Sequence, residues 1–200
     1  MNVTEALQSR RSIKWYDPEH RMPEATFKTL MDHALLSPTA FNIQNWRFVR
    51  VTDAGQRQAI RKVAWDQEQV VDASELLVLC FDRQSWNQSP ERYWRNAPQE
   101  VQDILLPAMA EYYGGKEQVQ RDEGMRSCGL AGMSLMLMAR ELGYDSCPMD
   151  GFDYAAVAEI IDLPASHQIA FMIVIGKAIK EPWPRPGQLG LDEVLVENRF

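Results

Sequence analysis

Hydrophobic and polar positions change period along this chain, and each change marks an element. The longest signal runs from Gly124 to Gly143. From Cys128 to Ala139 it carries no charge, and Ser134 is its only plainly polar side chain. A helix that is apolar on every face is buried either in protein or in lipid. A membrane span needs roughly 20 predominantly apolar residues. This run is shorter and has Arg126 and Arg140 near its ends, so it predicts a deeply buried helix closed by Gly143. Gly129, Ala131 and Gly132 are small enough to let another backbone approach closely. Such a helix is wrapped either within its own subunit or by a second copy of the chain.

Other segments read in the usual periods. Thr4 is placed to cap a short helix ending at Ser9, with Glu5 in its first turn. Pro23 opens a helix whose stripe is Phe27, Leu30, Met31, Ala34 and Leu35, and Pro38 stops it. A strand is expected over residues 48–51, ended by Asp53-Ala54-Gly55, with helical pieces over 56–63 and 66–73. Residues 76–81 form a continuous apolar run of strand length, which predicts a central strand. Short strands follow at 144–148 and 169–175, with a helix between them capped by Asp153. Residues 82–122 mix polar and aromatic side chains, including Trp86, Tyr93, Trp94, Tyr112 and Tyr113. They predict helices and loops interrupted by Pro90 and Pro107, lying over the core. These aromatics either line a substrate channel or simply pack. The tail from Lys177 holds Pro182, Trp183, Pro184, Arg185 and Pro186, and reads as an extended arm. Its residues 191–196 could add as a strand to an exposed sheet edge, on a partner subunit.

Length and charge narrow this picture. With 200 residues, one domain spanning the chain is the default. A net charge of −7 with scattered cations disfavours nucleic acid as a partner. Cys80, Cys128 and Cys147 are odd in number and unpaired in spacing, which suits buried free thiols in a reducing cytoplasm. His20, His33 and His167 form no metal-ligand pattern. No apolar signal core opens the chain, so no export and no membrane association are expected.

The chemistry is concentrated in a few polar stretches. In Arg10-Arg11-Ser12-Ile13-Lys14, an extended backbone puts Arg10, Ser12 and Lys14 on one face. Two cations and a hydroxyl together suit a phosphate and a polar ring edge, though a solvated strand would read alike. The loop Ser37-Pro38-Thr39-Ala40-Phe41-Asn42-Ile43-Gln44-Asn45-Trp46 offers amide and hydroxyl groups either to a ligand or to its own turns.

These two stretches, together with Pro148-Met149-Asp150-Gly151-Phe152-Asp153 and the Pro-Arg-Pro tail, resemble the FMN-dependent nitroreductase family over nearly the whole chain. The resemblance implies an α+β fold with a central, mainly antiparallel sheet flanked by helices. It implies an intertwined homodimer with C-terminal arm exchange (residues 177–200), FMN at the interface and a variable helical segment over the active site (82–122). It also implies site residues. Arg10 and Arg185, with Arg11 beside them, would hold the FMN phosphate. Ser12 would bond the cofactor's polar parts, and Lys14 would support negative charge on the reduced ring. Pro38, Thr39, Ala40, Phe41 and Asn42 would reach the site from the partner subunit. Asp66 and Gln69 would meet the ring edge or ribityl chain, and Pro148, Met149, Asp150 and Gly151 would pass beside the ring.

The activity so implied is a ping-pong oxidoreductase using NADH or NADPH, with nitroaromatics, quinones or related small molecules as acceptors. The flavin carries the chemistry, so no catalytic side chain and no metal is expected. Specialised relatives that dehalogenate or reduce enoyl-type substrates are an alternative, and so is a non-catalytic dimer that binds flavin or another aromatic ligand. The pattern is not uniform: Ala40 stands where serine is frequent, Asn45 where proline is, Trp183 where a second cation is, and Asp66 in place of an amide.

Overall fold

The framework is a four-stranded sheet, described with the rest of residues 1–200 by a computed structural model. Its strands are β1 (Trp46–Arg50), β2 (Glu75–Asp82), β3 (Asp145–Met149) and β4 (His167–Gly176). Their order is β1-β2-β4-β3, and every pairing is antiparallel. All eight residues of β2 are buried, as its unbroken apolar run requires. Period-two alternation then divides its side chains between two cores. Leu76, Val78 and Cys80 join Ile13, Tyr16, Ile60, Val157 and Val174 on one face. Leu77, Leu79 and Phe81 join Leu30, Cys128, Leu135 and Ile173 on the other.

Helices α1 (Val3–Ser9), α2 (Glu24–Ala34), α3 (Ala54–Val63), α4 (Gln69–Asp72), α5 (Gln99–Tyr113), α6 (Glu117–Glu141), α7 (Tyr154–Ile160) and α8 (Leu191–Val194) complete the chain. Several boundaries depart from the sequence reading. Asn2, not Thr4, caps α1: its side chain accepts from Glu5 N at 2.9 Å, and Glu5 Oε2 accepts from Asn2 N at 2.9 Å. This Asn-x-x-Glu spacing satisfies two free N–H groups at once, which Thr4 could not. Asp53 does not end a strand but opens α3, accepting from Gln56 N at 2.7 Å, so Ala54 and Gly55 are helical. Of the expected helix over 66–73 only α4 forms, because Trp65 and Asp66 adopt left-handed φ of 54°. Pro107 lies inside α5 rather than interrupting it. It is on the exposed side, where the carbonyl it leaves free can meet water. The arm's expected strand over 191–196 is instead the single turn α8.

The expected buried helix is α6, begun seven residues earlier than its apolar run. It ends in a Schellman arrangement: Tyr144 N donates to Ala139 O at 2.8 Å, Gly143 N to Arg140 O at 3.0 Å, and Gly143 has φ of 75°. Its glycines do different work. A Cβ at Gly124 would stand 2.1 Å from the Phe81 ring, and one at Gly132 would stand 2.5 Å from Phe171. Both therefore admit aromatic rings of the sheet. Gly129 faces away, with nothing within 4 Å. On that outer side Leu130 is 48% exposed and Met133 and Leu137 are half-buried, so one subunit leaves an apolar stripe of the helix uncovered. No helix is long and apolar enough to cross a membrane.

Candidate cofactor site

The strip Arg10 to Tyr16 is held extended against the sheet margin. Ile13 N donates to Ser146 O at 3.1 Å, and Ser12 bridges Ser146 in parallel. Further on, Tyr16 bridges Ala178 and Ile179 N donates to Trp15 O at 3.1 Å. Ile13 and Tyr16 are driven into the core, 2% and 1% exposed, and they fix which way their neighbours face. Ser12 and Lys14 are exposed as a result, and Arg10 is half-buried. The expected common face is therefore formed.

This face lines a cavity of about 450 Å³ together with Arg11, Trp15 and the arm residues 182–188. The cavity brings together Arg10, Arg11, Lys14 and Arg185, and no Asp or Glu lines it. None of these four cations has an ion-pair partner elsewhere in the chain. Burial lowers the Arg10 pKa, and the Arg185 and Arg11 cations lower it further. Like charges gathered without counter-charge are relieved by an anion. The arm is fastened here from both sides. Arg11 donates to Trp183 O. Arg185 donates to the carbonyls of Leu7, Gln8 and Arg10 at 3.4, 3.2 and 3.1 Å, around the C-terminal end of α1 where a cation is favoured. Beneath the strip lies Cys147, whose thiol pKa is raised by burial, while Lys14, Ser12 and Arg10 pull it down.

Lys14 leads to a residue that the sequence reading missed. Its Nζ lies 3.4 Å from Gln67 Oε1, which also accepts from Gln69 Nε2 at 2.8 Å. The Gln67 amide nitrogen donates to Gly151 O at 3.0 Å and to Ala64 O at 3.1 Å. One side chain thus joins Lys14, Gln69 and Gly151, three residues assigned to the site from separate segments. The amide-rich run Gln67-Glu68-Gln69 was the available signal. Asp66, in contrast, sits 2.8 Å from Arg61 in an ion pair and is 78% exposed at its side chain. Its charge is answered by Arg61 and not by the cavity cations. Met149 is buried in the core, and Pro148 lies beside it on β3. Asp150 is exposed and accepts from the Tyr154 hydroxyl. Tyr154 has its pKa raised by burial first and by that carboxylate second. A Cβ at Gly151 would stand 2.4 Å from the ring of Trp65, so this position admits a flat ring where a larger residue could not.

Pro38 to Asn42 do not line the cation cavity of their own chain. Ala40–Asn42 form a 3-10 turn in which Phe41 and Asn42 both have φ of 52°. Thr39 Oγ1 steadies it by accepting from Gln44 N at 3.1 Å. The turn is tied to the aromatic segment: Asn42 Nδ2 donates to Tyr93 O at 2.9 Å, and Trp94 Nε1 donates to Phe41 O at 3.0 Å. Phe41 lies 5.4 Å from Tyr112 and 6.1 Å from Tyr113, ring centre to ring centre. Tyr93, Trp86 and Trp94 pack around Ile43, Met109 and Tyr113, so much of the aromatic content of 82–122 forms a third small core. All three cysteines are free and buried, and burial pushes Cys80 and Cys128 up to about 12.

Residues 7–177 match the model of the Nitroreductase family, and the chain belongs to that family. It is 46% identical over 200 residues to Protein DrgA of Synechocystis, covering 98% of this chain and 95% of that protein. It is 29% identical to the oxygen-insensitive NADPH nitroreductase of Helicobacter pylori, over 88% of this chain and 87% of that protein. Among solved structures, an Exiguobacterium sibiricum protein in complex with FMN superposes with a TM-score of 0.90 at 26% identity, covering 98% of this chain and 97% of the other.

Proposed function

We propose that this chain is an FMN-dependent NAD(P)H oxidoreductase that works as a homodimer and passes two electrons to a small aromatic or quinone-type acceptor. The observation that carries this reading is the cavity in which Arg10, Arg11, Lys14 and Arg185 meet with no carboxylate among them. That donor set fits a phosphate. Family membership and the FMN complex of the Exiguobacterium protein support its being a flavin phosphate.

In this reading Arg10, Arg11 and Arg185 hold the phosphate by charge-assisted hydrogen bonds, and Ser12 adds a neutral one. Bound FMN supplies the electron transfer itself, a two-electron exchange between the nicotinamide and the acceptor. Lys14 contributes a fixed positive charge near the part of the ring that becomes negative on reduction. Gln67 keeps that charge in place and ties it to Gly151, whose missing side chain makes room for the Trp65 ring. Pro38 to Asn42 act on the partner's site and not on their own, which fits their distance in fold from the cation cavity. The bare stripe at Gly129, Leu130, Met133 and Leu137 supplies the apolar surface that a second copy would cover, and the exposed arm supplies a further one.

The direct test is an anaerobic absorption spectrum of the purified protein with FMN, followed by NADH or NADPH. The expected result is a yellow protein that bleaches with at least one nucleotide and recovers its colour on adding a quinone. A protein that takes up no FMN removes the cofactor assignment. A yellow protein that neither nucleotide bleaches leaves the non-catalytic flavin-binding dimer.

A further inference from the structure

A second cavity, of about 660 Å³, lies between the turn at Asn42 and the segment 92–97. Its lining includes Arg47, Arg92 and Arg95, and no Asp or Glu. On a protein with a net charge of −7 this is a local reversal of sign. Arg47 stands 3.9 Å from Asp82 and donates to the carbonyls of Trp46 at 2.7 Å and Gln44 at 3.1 Å, so it is partly engaged. Arg92 and Arg95 have no carboxylate within ion-pair distance. The guanidinium of Arg92 lies 4.7 Å over the ring of Tyr93 and donates to the Tyr93 hydroxyl at 2.5 Å, which holds it in place at the surface. The half-buried ring of Trp94 forms another part of the lining, its N–H already used on Phe41 O. Through that bond, and through Asn42 to Tyr93 O, the cavity is bolted to the turn assigned above to the partner's flavin site.

We propose that this cavity takes the phosphate-bearing adenosine end of the nicotinamide dinucleotide, and so discriminates among reductants. The proposal rests on the oxidoreductase reading above. Arg92 and Arg95, neither paired with a carboxylate, together with Arg47, which Asp82 engages only in part, match a ligand bearing more than one negative charge. A flat ring system and a guanidinium layered on tyrosine suit adenine stacking beside the phosphate. The volume lies within the range of small-molecule sites. An acceptor carrying a single carboxylate would use one of these cations and leave the others unanswered.

The test uses the FMN-loaded protein and adenosine 2′,5′-bisphosphate as the probe, titrated by calorimetry, with Arg92→Gln and Arg95→Gln beside the unaltered chain. Both residues are exposed, so both variants should fold. Each substitution is expected to weaken the probe about tenfold, the loss of one charge-assisted hydrogen bond. The KM for NADPH should rise by a similar factor, with kcat and flavin content unchanged, and Arg92→Lys should recover part of the affinity. Failure of the probe to bind the unaltered chain, or equal binding by the variants, overturns the proposal. A change confined to the KM for para-nitrobenzoate, with the probe unaffected, also overturns it and gives the cavity to an anionic acceptor. Flavin uptake and bleaching at saturating NADH are read on the same samples. Their loss in the unaltered chain would count against the oxidoreductase reading and not against the anion site.

Discussion

The two faces of the sheet are finished to different degrees. On the face holding Ile13, Tyr16 and Val157, the chain closes its own core with α3, α7 and the extended strip. On the other face α6 covers Leu77, Leu79 and Phe81, but its outer side carries Gly129 and Leu130 into the open. The closed face builds a rigid margin, and the cation strip is laid along it. The open face has an inner layer without an outer one. A helix that is apolar all round makes sense only if both of its sides are covered, and the chain covers one.

Leu130→Glu places a charge in the stripe proposed to meet the second copy; the unaltered chain is expected to run as a dimer in size-exclusion chromatography with light scattering, and this variant as a monomer. A dimer mass kept by the variant would take the interface away from this stripe, and a monomer mass for the unaltered chain would remove the homodimer. On the closed face, Lys14→Ala should leave the fold and FMN binding intact while slowing flavin reduction by NAD(P)H on the order of a hundredfold, in stopped-flow absorbance. Unaltered reduction rates would remove the electrostatic role given to Lys14.

A pair of glycine substitutions sharpens the contrast within α6 itself. Gly124→Ala meets the Phe81 ring and should cost about 1–3 kcal/mol in urea unfolding. Gly129→Ala meets nothing in one subunit, and helix propensity alone would make it stabilising by about 1 kcal/mol. If the outer side is a close dimer contact, the sign reverses and the dimer dissociates more readily. The smallest effect concerns pH. Burial lowers the His167 pKa, Arg47 lowers it further, and Asp82 opposes them. The unfolded chain therefore takes up this proton first as pH falls through about 6.5, so stability should decline below that pH and be unaffected by this group above it. A urea midpoint for His167→Gln with the same pH slope as the unaltered chain would assign that slope to other groups.

Legibility in the sequence followed burial. The run Leu76 to Phe81 was readable because all its side chains are buried, and the helix around Cys128 to Ala139 because its run is uncharged and apolar whether a side chain faces the sheet or the uncovered stripe. Boundaries were lost where a single side-chain hydrogen bond decides, as with Asn2 on α1 and Asp53 on α3. The strip Arg10 to Lys14 was legible through alternation, since buried Ile13 sets its neighbours' direction. Gln67 was not, because its importance comes from three partners contributed by three segments. The aromatic segment was read as either channel or packing, and its rings around Met109 and Tyr113 show packing, while Arg92 and Arg95 beside them open a cavity that hydrophobic periodicity cannot reveal.

The order β1-β2-β4-β3 also governs when this protein can be made. Glu75 pairs with Ile175, so the most buried strand finds one of its two neighbours only after the intervening helices and β3 have been made. Tyr16 similarly waits for Ala178. While the ribosome is still extending the polypeptide, the first two strands have one edge each without a partner and no complete core to protect them. Synthesis must pass Gly176 before the sheet can close. Until then β2, all of whose eight residues end up buried, is the segment a chaperone has most reason to hold.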